Sequence, residues 1–330
     1  MSNLRLSVAI GDYDRNRPLI DGRCQIDGVD PVVMTLTPEE MFYRAMRHEA
    51  FDICELSLSS HTLRTSRGDC PYVGVPAFVS RAFRHTSIIV RSDSGIKTPA
   101  DLRGRRVGIP EWQLTAIVWM RAILQDEYGV KASEIHWVRG GLEEPGRAEK
   151  VKIDLPEGVQ MSEIGPEQTL RDMLDSGEID AFMGPRAPTS FRPDNPSLRW
   201  LFDDPTAEAM AYYRKTGMFP MMHIIGIRKS LAEAHPWLPM AVLKGFQASK
   251  DIALDHLEDT SATKITLPFV EEQLRQAKAL MGPDFWPYGL AANRKTLDYF
   301  LEQHHAQGLS KRRVAVEELF HPGSIDAHVI

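Results

Sequence analysis

Through the first 230 residues, short apolar runs alternate with longer segments whose apolar residues recur at helical spacing. This alternation constrains the fold more than any other feature of the chain. The runs Arg5–Ile10, Phe51–Leu56, Tyr72–Val75, Ser87–Val90, Arg106–Ile109, Ile135–Val138, Ile179–Met183 and His223–Ile227 read as strands. Between them, Pro38–Arg47, Ser59–Ser66, Leu114–Tyr128, Glu167–Ser176 and Asp204–Thr216 read as helices. The first opens with Thr37-Pro38-Glu39-Glu40, where Thr37 is placed to cap and Pro38 suits the first turn. Strands separated by helices imply parallel βαβ units and a sheet covered on both faces. The expected class is α/β.

The last hundred residues change character. Leu238–Leu257, Phe269–Met281, Asn293–Gln307 and Val316–Phe320 carry helical patterns with no clear strand between them, and Asn293 is placed to cap its helix. Such a C-terminal helical block has to pack on a sheet formed elsewhere in the chain or on a second copy of it. Val90–Asp101 and Phe219–Arg228 read as two crossings between lobes. A double crossing makes one domain discontinuous: residues 1–90 with 222–330 as the first lobe, and 91–221 as the second. A ligand cleft is expected between them. Gly140–Gly165, rich in charge and Gly, reads as a long loop on the second lobe.

Composition enters by exclusion. A formal net charge of −6 argues against a broad nucleic-acid surface. The three cysteines, Cys24, Cys54 and Cys70, form no C-x-x-C pair and suit a reducing compartment. No apolar run approaches the ~18 residues of a membrane span, and the first residues do not resemble a secretory signal. A cytoplasmic protein is expected, without membrane or nucleic-acid partners. Dinucleotide, P-loop, nucleophile-elbow and zincin motifs are all missing from the sequence. No zinc-ligand spacing appears, and His304 with His305 reads as a solvated helix face.

Five constellations can carry chemistry. Gly11-Asp12-Tyr13-Asp14-Arg15 follows the first strand, where ligands of open α/β sheets sit. Glu55 ends another strand, and the following turn offers Ser57, Ser59 and Ser60 at a helix start suited to a carboxylate. Arg81, Phe83 and His85, if extended, share one side of a strand, joining an anion clamp to a proton donor. Trp112 and Gln113 lie at a second strand-to-helix turn. Arg186, held between Pro185 and Pro188, presents a rigid guanidinium. His223 near the return crossing and Trp286 in an aromatic turn complete the set.

Several stretches together carry a resemblance: GDYDR (11–15), DICELSLSS (52–60), SRAFRHTSI (80–88), GIPEWQLTA (108–116), ILQDEYGV (123–130), IHWVRGGLEEPGR (135–147), GEIDAFMGPRAP (177–188), FPMMH (219–223) and FWPYGLAANRKTL (285–297). In this order, from about Leu4 to Phe320, the chain resembles the 4,5-dihydroxyphthalate decarboxylase family. The resemblance implies a two-lobed type II periplasmic-binding-protein-like fold. It also implies loss of one carboxylate from a dihydroxylated phthalate, giving 3,4-dihydroxybenzoate and CO2.

The roles that follow are our reading of the residues. Arg15, Arg81 and Arg186 are expected to clamp carboxylates, and His85 to protonate the ring, with Glu55 and His223 in reserve. Asp12 or Tyr13 would draw charge from the phenol, while Phe83, Trp112 or Trp286 would wall the leaving carboxylate. No cofactor is expected, and a divalent ion holding catechol oxygens is left open. Two other readings stand beside this one: a solute-binding or sensing protein for an aromatic carboxylate, and a lyase acting on another acid.

Overall fold

The computed structural model describes residues 3–147, 151 and 153–325. Residues 148–150 and 152 of the expected long loop lie outside the described residues. Among the described residues eleven strands occur: β1 (Leu4–Ile10), β2 (Val29–Thr35), β3 (Ile53–Ser57), β4 (Tyr72–Arg81), β5 (Ile88–Arg91), β6 (Arg106–Ile109), β7 (His136–Arg139), β8 (Gln160–Glu163), β9 (Ala181–Met183), β10 (Leu198–Trp200) and β11 (Met221–Arg228). They form two sheets, ordered β2-β1-β3-β11-β4 and β10-β5-β9-β6-β7-β8.

The chain divides into two compact units. The first holds residues up to Arg81, Met221–Leu301 and the stretch from Val314 on; the second holds Ala82–Pro220 and Glu302–Arg313. The first junction therefore falls nine residues before the expected one. The cause is β5, which pairs with β9 and β10 in the second sheet rather than extending the first. The C-terminal block is also divided, since Glu302–Arg313 belongs with the second unit.

In the first unit β1 runs parallel to β2 and β3, while β11 is antiparallel to both β3 and β4. β3 is buried along its whole length, as a central strand covered on both faces must be. Helix Pro38–His48 turns Met41, Phe42, Ala45 and Met46 inward. Its start is where the sequence puts it, but Thr37 makes no side-chain cap; Pro38 and the acidic Glu39 and Glu40 set the first turn instead. Helix Leu58–Arg67 begins directly at the end of β3 and stops at Gly68, which takes φ 76°, a conformation open to glycine at no steric cost.

The second unit mixes parallel pairs (β6 with β7 and β9, β7 with β8) and antiparallel ones (β5 with β9 and β10). Ile89, Val138, Leu170, Met173, Leu174, Ile179, Phe182 and Leu198 form one of its cores. Helix Thr115–Tyr128 is buried from Thr115 through Leu124. His304 is fully buried rather than solvated, while His305 is exposed as the solvated-face reading expects; both bond Ser310, through its Oγ and its carbonyl, and tie down the turn after their helix.

Candidate active site

The first unit gathers its polar side chains at the carboxyl ends of β1 and β3. Antiparallel register sets Ile225 opposite Glu55 and His223 opposite Ser57. Directly opposed residues point to the same face, and side chains alternate with period two, so Glu55 and His223 are diagonal neighbours on one face. Their side chains meet: His223 Nδ1 lies 2.5 Å from Glu55 Oε1. Tyr13 donates its hydroxyl to the same oxygen at 2.9 Å, and the Gly11 amide donates to Oε2 at 3.0 Å. The ring of Phe42 meets His223 edge-on, centroids 4.8 Å apart.

Glu55 is completely buried. Burial alone would push its carboxyl up. The His223 hydrogen bond and charge, the Gly11 amide and the Tyr13 hydroxyl outweigh that and hold it below the usual carboxylate range. An ionised carboxylate only accepts hydrogen bonds, so Nδ1 of His223 carries a proton and Nε2 points away from Glu55. Tyr13 is raised far above the ordinary phenol value, by burial first and then by the Glu55 charge, so its hydroxyl stays protonated. Gly11 is required here: a Cβ on it would sit 2.6 Å from the Tyr13 hydroxyl oxygen.

Beside this pair, the Arg15 guanidinium lies between the rings of Tyr13 and Trp286, 4.4 Å from each centroid. Its Nε donates to the Val79 carbonyl and its Nη1 to Asp14. Its Nη2 makes no hydrogen bond to the described residues. Trp286 is fixed in turn by donating Nε1 to the Phe78 carbonyl at 2.9 Å.

Other expected site residues of the first unit face solvent or serve the scaffold. Asp12 is exposed and pairs with Arg17. Ser57, Ser59 and Ser60 are buried at the helix start, where the Ser57 hydroxyl accepts the Ser60 amide at 3.4 Å. Arg81 is buried and bonds through Nη2 to the Pro287 carbonyl and to Asn293 Oδ1; a desolvated guanidinium needs internal acceptors, and these two supply them. Asn293, expected as a helix cap, spends its amide there and on the Pro287 and Gly289 carbonyls. His61, buried in helix Leu58–Arg67, bonds the Leu319 carbonyl and the Cys70 thiol.

Five candidates belong to the second unit. β4 ends at Arg81, so Phe83 and His85 do not continue an extended face: Phe83 stacks on Phe219 at 4.6 Å, and His85 opens a 3-10 turn. The His85 ring is buried 5.5 Å from Phe202 and 5.7 Å from Tyr212, with both nitrogens lacking a hydrogen-bond partner among the described residues. Burial holds it below the ordinary histidine value, against weaker pulls from Glu208 and Glu127. Trp112 is core: it packs edge-on against Trp137, with the Arg121 guanidinium 3.6 Å above its ring. Gln113 is buried against Glu111, and Arg186 is exposed. The sequence reading passed over Glu111, a fully buried carboxylate that takes both Nε and Nη2 of Arg147 on one oxygen. Among the described residues no three His, Cys, Asp or Glu side chains gather as a metal site, and no helix is long and apolar enough to cross a membrane.

Two α/β units, with a carboxylate–imidazole pair at the strand ends of the first, define the class. This is a type II periplasmic-binding-protein-like fold. The periplasmic aliphatic sulphonate binding protein SsuA of Escherichia coli shares it at TM-score 0.54 and 14% identity, over 97% of this chain and 98% of that one. Protein AF1704 of Archaeoglobus fulgidus does so at TM-score 0.54 and 13% identity, over 92% and 98%. Residues 48–155 match the NMT1/THI5-like family. A 4,5-dihydroxyphthalate decarboxylase of Comamonas testosteroni is 56% identical over the whole of both chains, and one of Pseudomonas putida is 53% identical over 65% of this chain and 83% of its own. The chain belongs to the 4,5-dihydroxyphthalate decarboxylase family, whose members are carboxy-lyases.

Proposed function

We propose that the protein decarboxylates 4,5-dihydroxyphthalate to 3,4-dihydroxybenzoate and CO2, with His223 as proton donor and Glu55 as the anion that orients it. The observation that carries this reading is the Glu55–His223 pair, assembled at the strand ends of a family member. The imidazolium delivers its Nε2 proton to the ring carbon bearing the leaving carboxylate. Electron density from a ring hydroxyl supports that protonation. The C–C bond then breaks, its electrons restore aromaticity, and CO2 departs; solvent returns a proton to His223. One proton is consumed and no electron is exchanged, so the balance closes without a redox cofactor.

Glu55 keeps Nδ1 protonated and stabilises the positive ring, the arrangement by which a carboxylate makes a histidine an effective acid. Arg15, stiffened between two rings and with one edge open, receives the carboxylate that stays. Trp286 and Phe42 supply apolar surface near the reacting carbon, where weak solvation favours loss of CO2.

The test is to mix EDTA-treated protein with 4,5-dihydroxyphthalate and follow 3,4-dihydroxybenzoate by chromatography and CO2 by trapping. Stoichiometric formation of both, over many turnovers, is the expected result. Heat of binding without product would indicate a solute-binding protein instead. Adding Mg²⁺, Mn²⁺ or Zn²⁺ back in the same assay reads any contribution of an ion at the catechol oxygens.

A further inference from the structure

We infer that two buried asparagines outside the reacting set, Asn16 and Asn293, are positioning residues: Asn16 sets the proton-donating pair and Asn293 sets the carboxylate-binding arginine. The inference rests on the decarboxylase reading above.

Asn16 is wholly buried. Its Nδ2 donates to the Gly11 carbonyl at 3.0 Å, and its backbone amide donates to the Tyr13 carbonyl at 3.0 Å. One residue thus staples both ends of the turn that follows β1. That turn supplies two of the three hydrogen bonds to Glu55, from the Gly11 amide and the Tyr13 hydroxyl. Asn16 Oδ1, meanwhile, is buried with no hydrogen-bond partner among the described residues. Buried polar groups are almost always paired, so an orphan acceptor is a cost that a side chain selected only for stability would avoid. The geometry ties that cost to holding Gly11 and Tyr13 against Glu55.

Asn293 works on the other side of the site. Its Nδ2 donates to the Pro287 and Gly289 carbonyls, at 3.0 and 2.7 Å, and its Oδ1 accepts from Arg81, which also bonds Pro287. The Gly289 amide is held by the Pro76 carbonyl. Every polar contact here fixes the turn that presents Trp286 to the Arg15 guanidinium. Loosening this turn frees Arg15 to swing; loosening the Gly11–Tyr13 turn lets the Glu55–His223 pair relax. One asparagine therefore acts on chemistry and the other on binding.

The test uses Asn16→Ala and Asn293→Ala in the full-length enzyme, with kcat and KM for 4,5-dihydroxyphthalate measured across pH. Asn16→Ala is expected to lower kcat roughly tenfold with a smaller rise in KM, because Arg15 loses firm support from Tyr13 but keeps Val79 and Trp286. It should also move the acid limb of the kcat/KM profile upward by about half a pH unit, since the Gly11 and Tyr13 hydrogen bonds that favour the ionised form of Glu55 are loosened. The titratable groups around Glu55 are His223 on β11, Tyr13 and Arg15 in the turn after β1, Cys54 on β3 and Tyr288 in the 286–289 turn; none of them is changed. Asn293→Ala is expected to raise KM roughly five- to tenfold while kcat and the acid limb stay in place.

A merely structural role would reduce the active fraction, lowering kcat in both variants and shifting no limb; that pattern overturns the inference. If either alanine variant fails to fold by near-UV circular dichroism, Asn16→Ser and Asn293→Asp replace it. The serine is too short to reach Gly11, and the aspartate keeps the Arg81 contact but loses both donors. Their expected patterns are the same. A wild-type enzyme without turnover would sink the functional reading and this inference together, whereas an active wild type with proportionate losses in both variants would overturn the inference alone.

Discussion

His223 Nδ1 and Glu55 Oε1 lie 2.5 Å apart although 168 residues separate them in the chain. The contact exists because β11 returns antiparallel beside β3 and brings His223 into register with Ser57. A fully buried carboxylate on one strand thus acquires the one side chain that can both neutralise it and pass a proton.

Replacing His223 with Gln tests the donor directly. Glutamine retains a hydrogen bond to Glu55 but has no proton to give. Turnover of 4,5-dihydroxyphthalate is expected to fall ~10²-fold or more, while calorimetric affinity for 3,4-dihydroxybenzoate changes little. Wild-type turnover in this variant would remove His223 from the acid role.

Arg15 offers a test of binding. Its guanidinium is stacked on two rings and bonded through Nε and Nη1, so its planar shape matters as well as its charge. Arg15→Met should weaken ligand binding about tenfold or more, the scale of a lost charge-assisted hydrogen bond. Arg15→Lys should recover little of that, because an ammonium neither stacks nor keeps the fork. Full recovery by lysine would mean that charge alone is read.

Much of this fold is legible in the sequence, and the missed strands share one cause. β2, β8 and β10 are all sheet edges. β2 carries Pro31, tolerable only where one side of a strand needs no donor, and its Val32 is exposed. β8, Gln160–Glu163, has no apolar run at all. These three edge strands, unlike the buried edge strand β4, bury one face at most, so the signal that reveals β1 or β3 is absent from them. The site divides in the same way. Glu55, Tyr13, Arg15 and His223 are each visible as chemistry at strand ends, but their grouping depends on sheet register, which no local pattern encodes. His85 looks like the stronger donor because arginines flank it; its burial between Phe202 and Tyr212 comes from long-range packing. Asn16 carries no sequence signal, since buried and exposed asparagines look alike, and Asn293 signals only a helix cap.

His85 in its actual surroundings predicts a stability effect. Its folded value lies below the ordinary one because burial disfavours the charged ring. The unfolded chain therefore binds this proton more readily, beginning near pH 6.5. Stability from the neutral ring is complete above that value and is lost as pH falls through it toward the folded value. His85→Phe keeps an aromatic ring beside Phe202 and Tyr212 but cannot take up the proton. Its melting temperature should drop less than the wild type's between pH 7 and pH 5, with turnover at pH 7 retained. Equal drops in the two proteins would show that His85 does not titrate on unfolding.

Glu111 and Arg147 provide a test in the second unit that leaves the proposed chemistry untouched. Glu111 is fully buried, and Arg147 pairs with it through two nitrogens on one carboxylate oxygen. Removing the arginine alone takes the ion-pair partner from a buried charge, a change that costs about 3 kcal/mol or more in comparable pairs. Arg147→Ala should therefore unfold at markedly lower urea concentration than the wild type. Adding Glu111→Gln removes that charge, so the double variant should be more stable than Arg147→Ala by itself. The double-mutant cycle isolates the pair, with a coupling of roughly 1–3 kcal/mol expected for groups in direct contact. Additive losses would mean that Arg147 contributes packing rather than charge compensation, and that Glu111 is satisfied by Gln113 and its other neighbours.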